Sequence, residues 1–148
     1  MDYLAYVYRI SYNISMKNSY KKTKTTVSLL NYHFVFCPRY RRKIFDTPGV
    51  EEYFKTLVEQ ICAEDNLEIL ALECYHDHVH LFVSASPDVS PAWIMKEIKG
   101  RTARRVREAF PKFLAMPTLW TRSYFVSTAG NVSSQTIQHY VETQKTRP

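Results

Sequence analysis

The spacing of hydrophobic and polar positions along the chain predicts an alternating series of strands and helices. Four segments rich in β-branched and aromatic residues are predicted as strands, at 27–37, 67–75, 78–85 and 119–128. Two segments with apolar residues at helical spacing are predicted as helices, at about 48–65 and 91–110. Asp46 or Thr47 is predicted to cap the first of these helices and Ser90 the second. A last helix is predicted from Ser133 or Ser134 to about residue 145.

The order of the first six elements is β-α-β-β-α-β, which is typical of the ferredoxin-like fold. We therefore predict an α+β sandwich with an antiparallel sheet, followed by a C-terminal helix. In this fold both crossover helices cover one face of the sheet and leave the other face open. Residues 1–26 lack a clear period and are predicted to form an N-terminal arm, so a single domain is expected over 27–148.

The predicted strand 78–85 carries side chains of two kinds at alternating positions, so the two faces of the sheet should differ. The apolar positions expected to face the helices are Val79, Leu81, Val83 and Ala85. The open face is expected to carry His78, His80 and Phe82. Trp120 and Phe125 are expected in the core. His33, on the first strand, could line the open face or be a buried, hydrogen-bonded histidine.

Charge is distributed in blocks along the 148-residue chain, whose formal net charge is +6. Residues 1–45 contain nine basic and one acidic side chain, residues 46–88 contain one basic and ten acidic, and residues 89–125 contain eight basic and two acidic. A polyanion such as nucleic acid would meet the first and third blocks, because Lys and Arg displace the counterions of phosphates. A solvated basic surface without a partner would show the same pattern.

Several classes of protein are disfavoured by composition. The three cysteines have no CxxC spacing, which argues against a disulfide scaffold or a cysteine zinc site and favours a reducing compartment. No apolar run approaches the ~20 residues that span a bilayer, so no membrane partner is expected. The N-terminus lacks the layout of a secretory signal. We therefore expect a cytoplasmic protein.

His78 and His80 are the first candidates for chemistry. Two residues at i and i+2 on a strand lie roughly 6.5–7 Å apart at Cα, which allows both rings to converge on one divalent ion. The same pair could equally be two solvated or hydrogen-bonded histidines. His76 would lie on the same side only if the strand began earlier than predicted.

Tyr140 and Gln144 are the second pair of candidates. They are four residues apart on the predicted last helix and so project from the same face. A phenol can attack a phosphodiester and hold the DNA end covalently, while a nearby metal ion polarises the phosphate. Gln144 could offer its amide oxygen as a third metal ligand. Most of the eleven tyrosines, however, must serve packing alone.

These motifs together resemble a known family. The chain is similar to the single-tyrosine HUH transposases, the TnpA proteins of the insertion-sequence 200/605 group, named for a His-hydrophobic-His motif. The resemblance covers residues 28–145 and is carried by His78-Val79-His80, Tyr140-x-x-x-Gln144, the segment CPRYRRK and the segment LWTRSYFVST. The chain departs from the pattern at His76 and in the glycine-free loop KFLAMPT.

The resemblance implies a function and a set of roles. His78, His80 and Gln144 would bind Mg²⁺ or Mn²⁺, and Tyr140 would be the nucleophile that cleaves single-stranded DNA and forms a 5′-phosphotyrosine. Rejoining to another end would excise or insert the element. The family acts as homodimers and recognises DNA hairpins at the element ends, so both partners are expected here.

Eight basic residues are candidates for contacts to DNA phosphates, which position DNA without reading its sequence. They are Arg39, Arg41, Arg42, Lys43, Lys99, Arg101, Arg104 and Arg105. The exposed ring of Tyr40 could stack on unpaired bases.

Other functions remain compatible with the sequence. A non-catalytic nucleic-acid-binding module on the same scaffold is one, although such modules normally present aromatic residues where this chain has His78 and His80. A domesticated relative that binds or processes palindromes would retain every motif. Replication initiators and relaxases of the wider HUH class are generally longer and differently ordered.

Overall fold

A computed structural model describes residues 20–128 of the chain. The predicted last helix, with Tyr140 and Gln144, lies outside these residues, as does most of the predicted N-terminal arm. The strands are β1 (Lys21–Lys22), β2 (Val27–Ser28), β3 (Leu30–Phe36), β4 (Glu68–Cys74), β5 (Val79–Ala85) and β6 (Phe125–Thr128). The α-helices are α1 (Val50–Glu64) and α2 (Pro91–Ala109), and short 3₁₀ helices span Arg39–Arg41, Ile44–Asp46 and Pro111–Ala115.

Strands β3 to β6 form one antiparallel sheet in the order β4-β5-β3-β6. Helix α1 connects β3 to β4 and helix α2 connects β5 to β6, which is the ferredoxin-like arrangement predicted from the sequence. The central strands are therefore β3 and β5, the first and third strands of the motif. Their register places His33 opposite Phe82 and Val35 opposite His80.

The two helices cover one face of the sheet, and the core lies between them and the strands. Its largest fully buried side chains include Phe34, Phe36, Phe54, Leu81 and Ile94. The predicted alternation on β5 is confirmed, because Val79, Leu81, Val83 and Ala85 all belong to this core. The opposite face carries His33, Val35, His80 and Phe82, and we call it the histidine face.

The histidine face is not open at its centre, in contrast to the prediction. His33, His80 and Phe82 are each only 1% exposed, and the His33 ring stacks on both of the other rings. Phe125 also differs from the prediction: it pairs with Val35 across the strands and is half-buried on this face, outside the core. Trp120 is in the core as predicted, and its indole Nε1–H donates to Thr102.

The helix starts follow the sequence only in part. Ser90 caps α2 as predicted, with its hydroxyl accepting a hydrogen bond of 3.1 Å from the backbone N–H of Trp93. Helix α1 begins later than the predicted caps Asp46 and Thr47, because Ile44–Asp46 forms a separate 3₁₀ turn. Its N-cap is instead Gly49, whose φ of 87° favours glycine.

The predicted strand 119–128 is regular only over its second half. Trp120 makes an isolated bridge to Pro38, and β6 starts at Phe125. Between them, the backbone carbonyls of Thr121, Arg122 and Ser123 accept hydrogen bonds of 2.6, 3.3 and 3.1 Å from the Lys99 ammonium group. These residues therefore direct their carbonyls to a side chain of α2 and make no regular ladder with β3.

Smaller features complete the described part of the chain. Strands β1 and β2 form a two-stranded hairpin that spans residue 26. The boundary between arm and domain at this residue stays a prediction. Cys37, Cys62 and Cys74 are free thiols, as the sequence suggested. Within residues 20–128, no helix has the length and apolar character needed to cross a membrane.

Replacing Lys99 by Met should destabilise the fold by about 2–3 kcal/mol, because three backbone carbonyls, two of them part-buried, would lose a charged donor. Burial lowers the pKa of Lys99 to about 8, which still leaves the ammonium form in the majority at neutral pH. Urea unfolding at pH 7 measures the loss. Lys96→Met, at an exposed position of the same helix, is the matched control. Equal unfolding midpoints for the two variants would contradict the capping role.

Candidate active site

His80 lies near the start of β5, a central strand of the sheet, and His78 directly precedes that strand. Their ring centroids are 5.1 Å apart and the ring planes are nearly perpendicular, at 76°. Both side chains are buried, with 7% and 1% of their surface exposed. The spacing predicted from the sequence thus brings the two imidazoles into contact.

Asp77 holds His78 from one side. Its Oδ1 lies 2.9 Å from His78 Nδ1. Its Oδ2 accepts a hydrogen bond of 3.0 Å from Arg41 Nε and forms an ion pair with Arg41 Nη2 at 2.8 Å. Burial alone would raise the pKa of Asp77, but the hydrogen bond from His78 and the charge of Arg41 outweigh it and lower the pKa. The carboxylate can only accept, so Nδ1 of His78 carries the hydrogen. The His78 ring also stacks on Tyr75 at 4.8 Å.

His80 has a different partner, His33 on the neighbouring strand β3. The two residues are diagonal neighbours on the histidine face, and His80 Nδ1 lies 3.0 Å from His33 Nε2. Burial lowers the pKa of His33 to about 3, and burial together with the two neighbouring histidines lowers that of His80 well below its ordinary value. Both rings are therefore neutral at physiological pH, and neutral imidazole is the form that binds metal ions.

The donor set fits a metal ion in part. In His78 and His80, Nδ1 is the atom held by Asp77 or His33, so Nε2 is the nitrogen suited to a metal ion. Residues 20–128 contain no group of three His, Cys, Asp or Glu side chains that could hold a metal ion. Two imidazoles alone make an incomplete set, so a further ligand must come from elsewhere. The predicted ligand Gln144 and the predicted nucleophile Tyr140 lie outside the described residues.

His76 takes no part in this pair. Its ring contacts the Asp46 carboxylate, and 72% of its side chain is exposed. The departure from the family pattern at this position therefore leaves the two buried histidines unchanged.

The basic segment after β3 lies beside the histidines. Tyr40 and Arg41 have φ angles of 58° and 52°, which non-glycine residues rarely adopt. Arg41 contacts Asp77, as described above, and Arg39 donates to Thr118 at 3.1 Å. Tyr40 is 44% exposed, as the sequence suggested, and the Arg39 guanidinium lies 5.2 Å from the centroid of its ring.

Arg42 and Lys43 are exposed, and they line a groove of about 260 Å³ together with Lys112. The floor of this groove is apolar and includes Ile44 and Phe113. We call this feature the basic groove. Arg42 and Lys43 directly follow Arg41 in the chain, and Lys112 joins them from the 3₁₀ turn after α2.

The basic residues of α2 occupy a different surface. Arg104 and Arg105 are exposed and line a groove of about 350 Å³ between α1 and α2, across the sheet from the histidine face. Arg101 also lines this groove but forms ion pairs with Glu64 and Asp65. Lys99 is engaged with backbone carbonyls. Contacts with phosphate stay predictions for all four residues: Lys99, Arg101, Arg104 and Arg105.

Three residues take positions that the sequence did not predict. Asp77 directly precedes the His-Val-His motif, and a carboxylate next to a histidine pair could have been recognised as its orienting group. Arg41 was predicted only as a phosphate contact. Lys112 gives no signal in the sequence, because the 3₁₀ turn that carries it adjoins Arg42 only in the folded chain.

Comparisons with known proteins agree with the motifs. A family model described as "Transposase IS200 like" matches residues 26–144. The ISDra2 transposase TnpA of Deinococcus radiodurans is 34% identical over 127 residues, which cover 84% of this chain and 90% of the relative. The transposase for insertion sequence element IS200 of Salmonella typhimurium is 32% identical over 116 residues, covering 76% and 75% of the two chains.

Solved structures extend the likeness to the fold. A crystal structure of a transposase candidate from Deinococcus radiodurans superimposes with a TM-score of 0.74 at 36% identity, covering 84% of this chain and 97% of that chain. A REP-associated tyrosine transposase bound to a REP hairpin matches with a TM-score of 0.50 at 15% identity, over 82% and 68% of the chains, which concerns the fold alone. The family expected from the motifs is confirmed: this chain belongs to the IS200-like tyrosine transposases.

Proposed function

We propose that this transposase cleaves and rejoins single-stranded DNA at hairpin-marked element ends, using Tyr140 as the nucleophile and a divalent cation held by His78, His80 and Gln144. The observation that carries the proposal is the contact between two buried imidazoles, His78 and His80, each held through its Nδ1 by a neighbouring side chain. Such second contacts are typical of metal-binding histidines. Mg²⁺ or Mn²⁺ is the proposed ion, because phosphate oxygens would complete its preferred oxygen-rich shell.

The proposed reaction is a transesterification. The Tyr140 phenol loses its proton and attacks the scissile phosphorus, the bond from phosphorus to the 3′ oxygen breaks, and that oxygen takes up a proton to become a 3′-hydroxyl. The phosphate remains on the protein as a 5′-phosphotyrosine, which conserves the bond for rejoining. A bound divalent cation would stabilise the charge on the phosphate oxygens. Attack by another 3′-hydroxyl reverses the step and joins two DNA ends.

The histidine face favours this enzyme over a non-catalytic nucleic-acid-binding module. A module that binds by stacking presents exposed aromatic rings on its central strands. Here the corresponding positions, His33, His80 and Phe82, are buried and pack on one another. We further propose that the working form is a cytoplasmic homodimer that binds DNA hairpins, as the family resemblance implies.

Tyr140→Phe should abolish the covalent adduct between protein and DNA, because phenylalanine has no oxygen to attack phosphorus. The full-length protein is incubated with single-stranded DNA from the element ends and Mg²⁺ or Mn²⁺, and the adduct is detected on a denaturing gel. Binding to the hairpin should stay within about threefold of wild type, since the nucleophile does not anchor the DNA. An adduct formed by the variant would show that another tyrosine is the nucleophile.

His80→Ala should remove cleavage that depends on the metal ion, and chelation should do the same to the wild type. The expected loss is at least 100-fold in the rate of adduct formation, because one of two imidazole ligands is missing. His76→Ala is the matched control and should cleave at the wild-type rate, since that ring is exposed and contacts Asp46. Undiminished cleavage in chelator would refute the metal site.

The basic groove should contribute to DNA binding through phosphate contacts. Replacing Arg42, Lys43 and Lys112 by Ala should weaken binding to the hairpin at least tenfold and reduce the salt slope of log K by about 2–3, as expected for three lost contacts. The measurement is fluorescence anisotropy across a salt series.

The matched control for this triple variant removes the same charge elsewhere. Lys22, Lys24 and Lys96 are exposed, and their combined replacement by Ala should change affinity less than threefold. An equal loss in both triple variants would assign the effect to overall charge and count against the basic groove.

A further inference from the structure

We propose that His33 is a positioning residue that selects the metal-binding tautomer of His80 by accepting the hydrogen bond from its Nδ1–H. This inference rests on the proposed metal site. His33 is neither a ligand nor a nucleophile in that proposal, and its role is to act through His80.

The argument begins with the direction of one hydrogen bond. The Nε2 atom of His33 and the Nδ1 atom of His80 are 3.0 Å apart, and one hydrogen lies between two neutral rings. If His33 donated it, the single hydrogen of neutral His80 would sit on Nε2 and block metal binding there. If His80 donates the hydrogen bond from its Nδ1–H, the Nε2 atom of His80 keeps its lone pair for a metal ion. Only the second direction is compatible with a metal ion at His80.

The packing around His33 restricts the ring to this contact. It lies flat on Phe82, with ring centroids 3.9 Å apart and planes 10° apart, and it meets the edge of Phe125 at 6.3 Å. The side chain is 1% exposed. A ring held by neighbours on the same sheet face loses little further freedom when the hydrogen bond forms, so the acceptor atom is preorganised.

The two proposed ligands are thus oriented by different means. His78 donates to a carboxylate that Arg41 holds in place, whereas His80 would donate to a neutral ring. Both arrangements put the hydrogen on Nδ1 and leave Nε2 for the metal ion. A common outcome from two unrelated partners supports the assignment of His33 as the counterpart of Asp77.

The first test reads the tautomer directly, without metal or activity. In ¹⁵N-histidine-labelled full-length protein, long-range ¹H–¹⁵N correlation spectra distinguish the protonated from the unprotonated ring nitrogen. We expect His80 to carry its hydrogen on Nδ1 and His33 to be unprotonated on Nε2. A spectrum with the His80 hydrogen on Nε2 would overturn the inference.

The second test separates the hydrogen bond from the ring stack. His33→Phe retains a ring against Phe82 but has no acceptor, whereas His33→Gln loses the ring and places an amide oxygen near the position of Nε2. Binding of Mn²⁺ without DNA, followed by the electron paramagnetic resonance signal of free Mn²⁺, should be 10- to 100-fold weaker in His33→Phe. It should be within about threefold of wild type in His33→Gln. A purely structural role would give the opposite order.

The controls distinguish this inference from the proposed function. If His80→Ala binds Mn²⁺ as tightly as wild type, the metal site itself is wrong. If His80→Ala loses binding while His33→Phe retains it, the metal site stands and the positioning role of His33 is refuted. Thermal unfolding of each variant confirms that it is folded.

Discussion

The contact between His33 and His80 links the two central strands of the sheet and determines the character of the histidine face. Two neutral rings can occupy this buried position because burial disfavours their charged forms and each ring satisfies a polar atom of the other. Phe82 supplies the flat surface on which His33 rests. His78 lies against the His80 ring and is held in turn by Asp77.

Several basic side chains of the charged blocks are engaged in ion pairs within the protein. Asp77 is one of the ten acidic residues in the block 46–88, yet it is bound to Arg41 from the preceding basic block. Arg101 is likewise paired with Glu64 and Asp65. The net charge of a segment therefore overstates the number of cations available to DNA. The basic groove stands out because its three cations, Arg42, Lys43 and Lys112, are all exposed.

Because the chain belongs to the IS200-like transposases, the buried histidines can be considered in relation to chemistry on DNA. A sheet face that carries hydrogen-bonded imidazoles is unlike the exposed aromatic surface used to stack bases, although both can be built on the same ferredoxin-like scaffold. The difference arises from a few positions on β3 and β5. Function in this fold thus depends on which side chains the face opposite the helices presents.

Local patterns in the chain were enough to predict the four-stranded sheet, both crossover helices and the pairing of His78 with His80. These features follow from periodicity, because strand side chains alternate and helical side chains recur every three to four residues. The predictions for the start of α1 and for the first half of the strand at 119–128 were wrong. Gly49 sets the start of α1, and the hydrogen bonds from Lys99 to backbone carbonyls keep residues 121–123 out of the sheet ladder. Neither feature produces a periodic pattern in the sequence.

The partners of the site residues were beyond prediction for the same reason. His33 and His80 are 47 positions apart, and Arg41 and Asp77 are 36 apart, so no spacing rule connects them. Strand register brings the first pair together, and the left-handed turn at Tyr40 and Arg41 accompanies the second. Periodicity along one strand specifies the face on which a side chain lies. Its hydrogen-bond partner is specified only when a second strand or loop packs beside it.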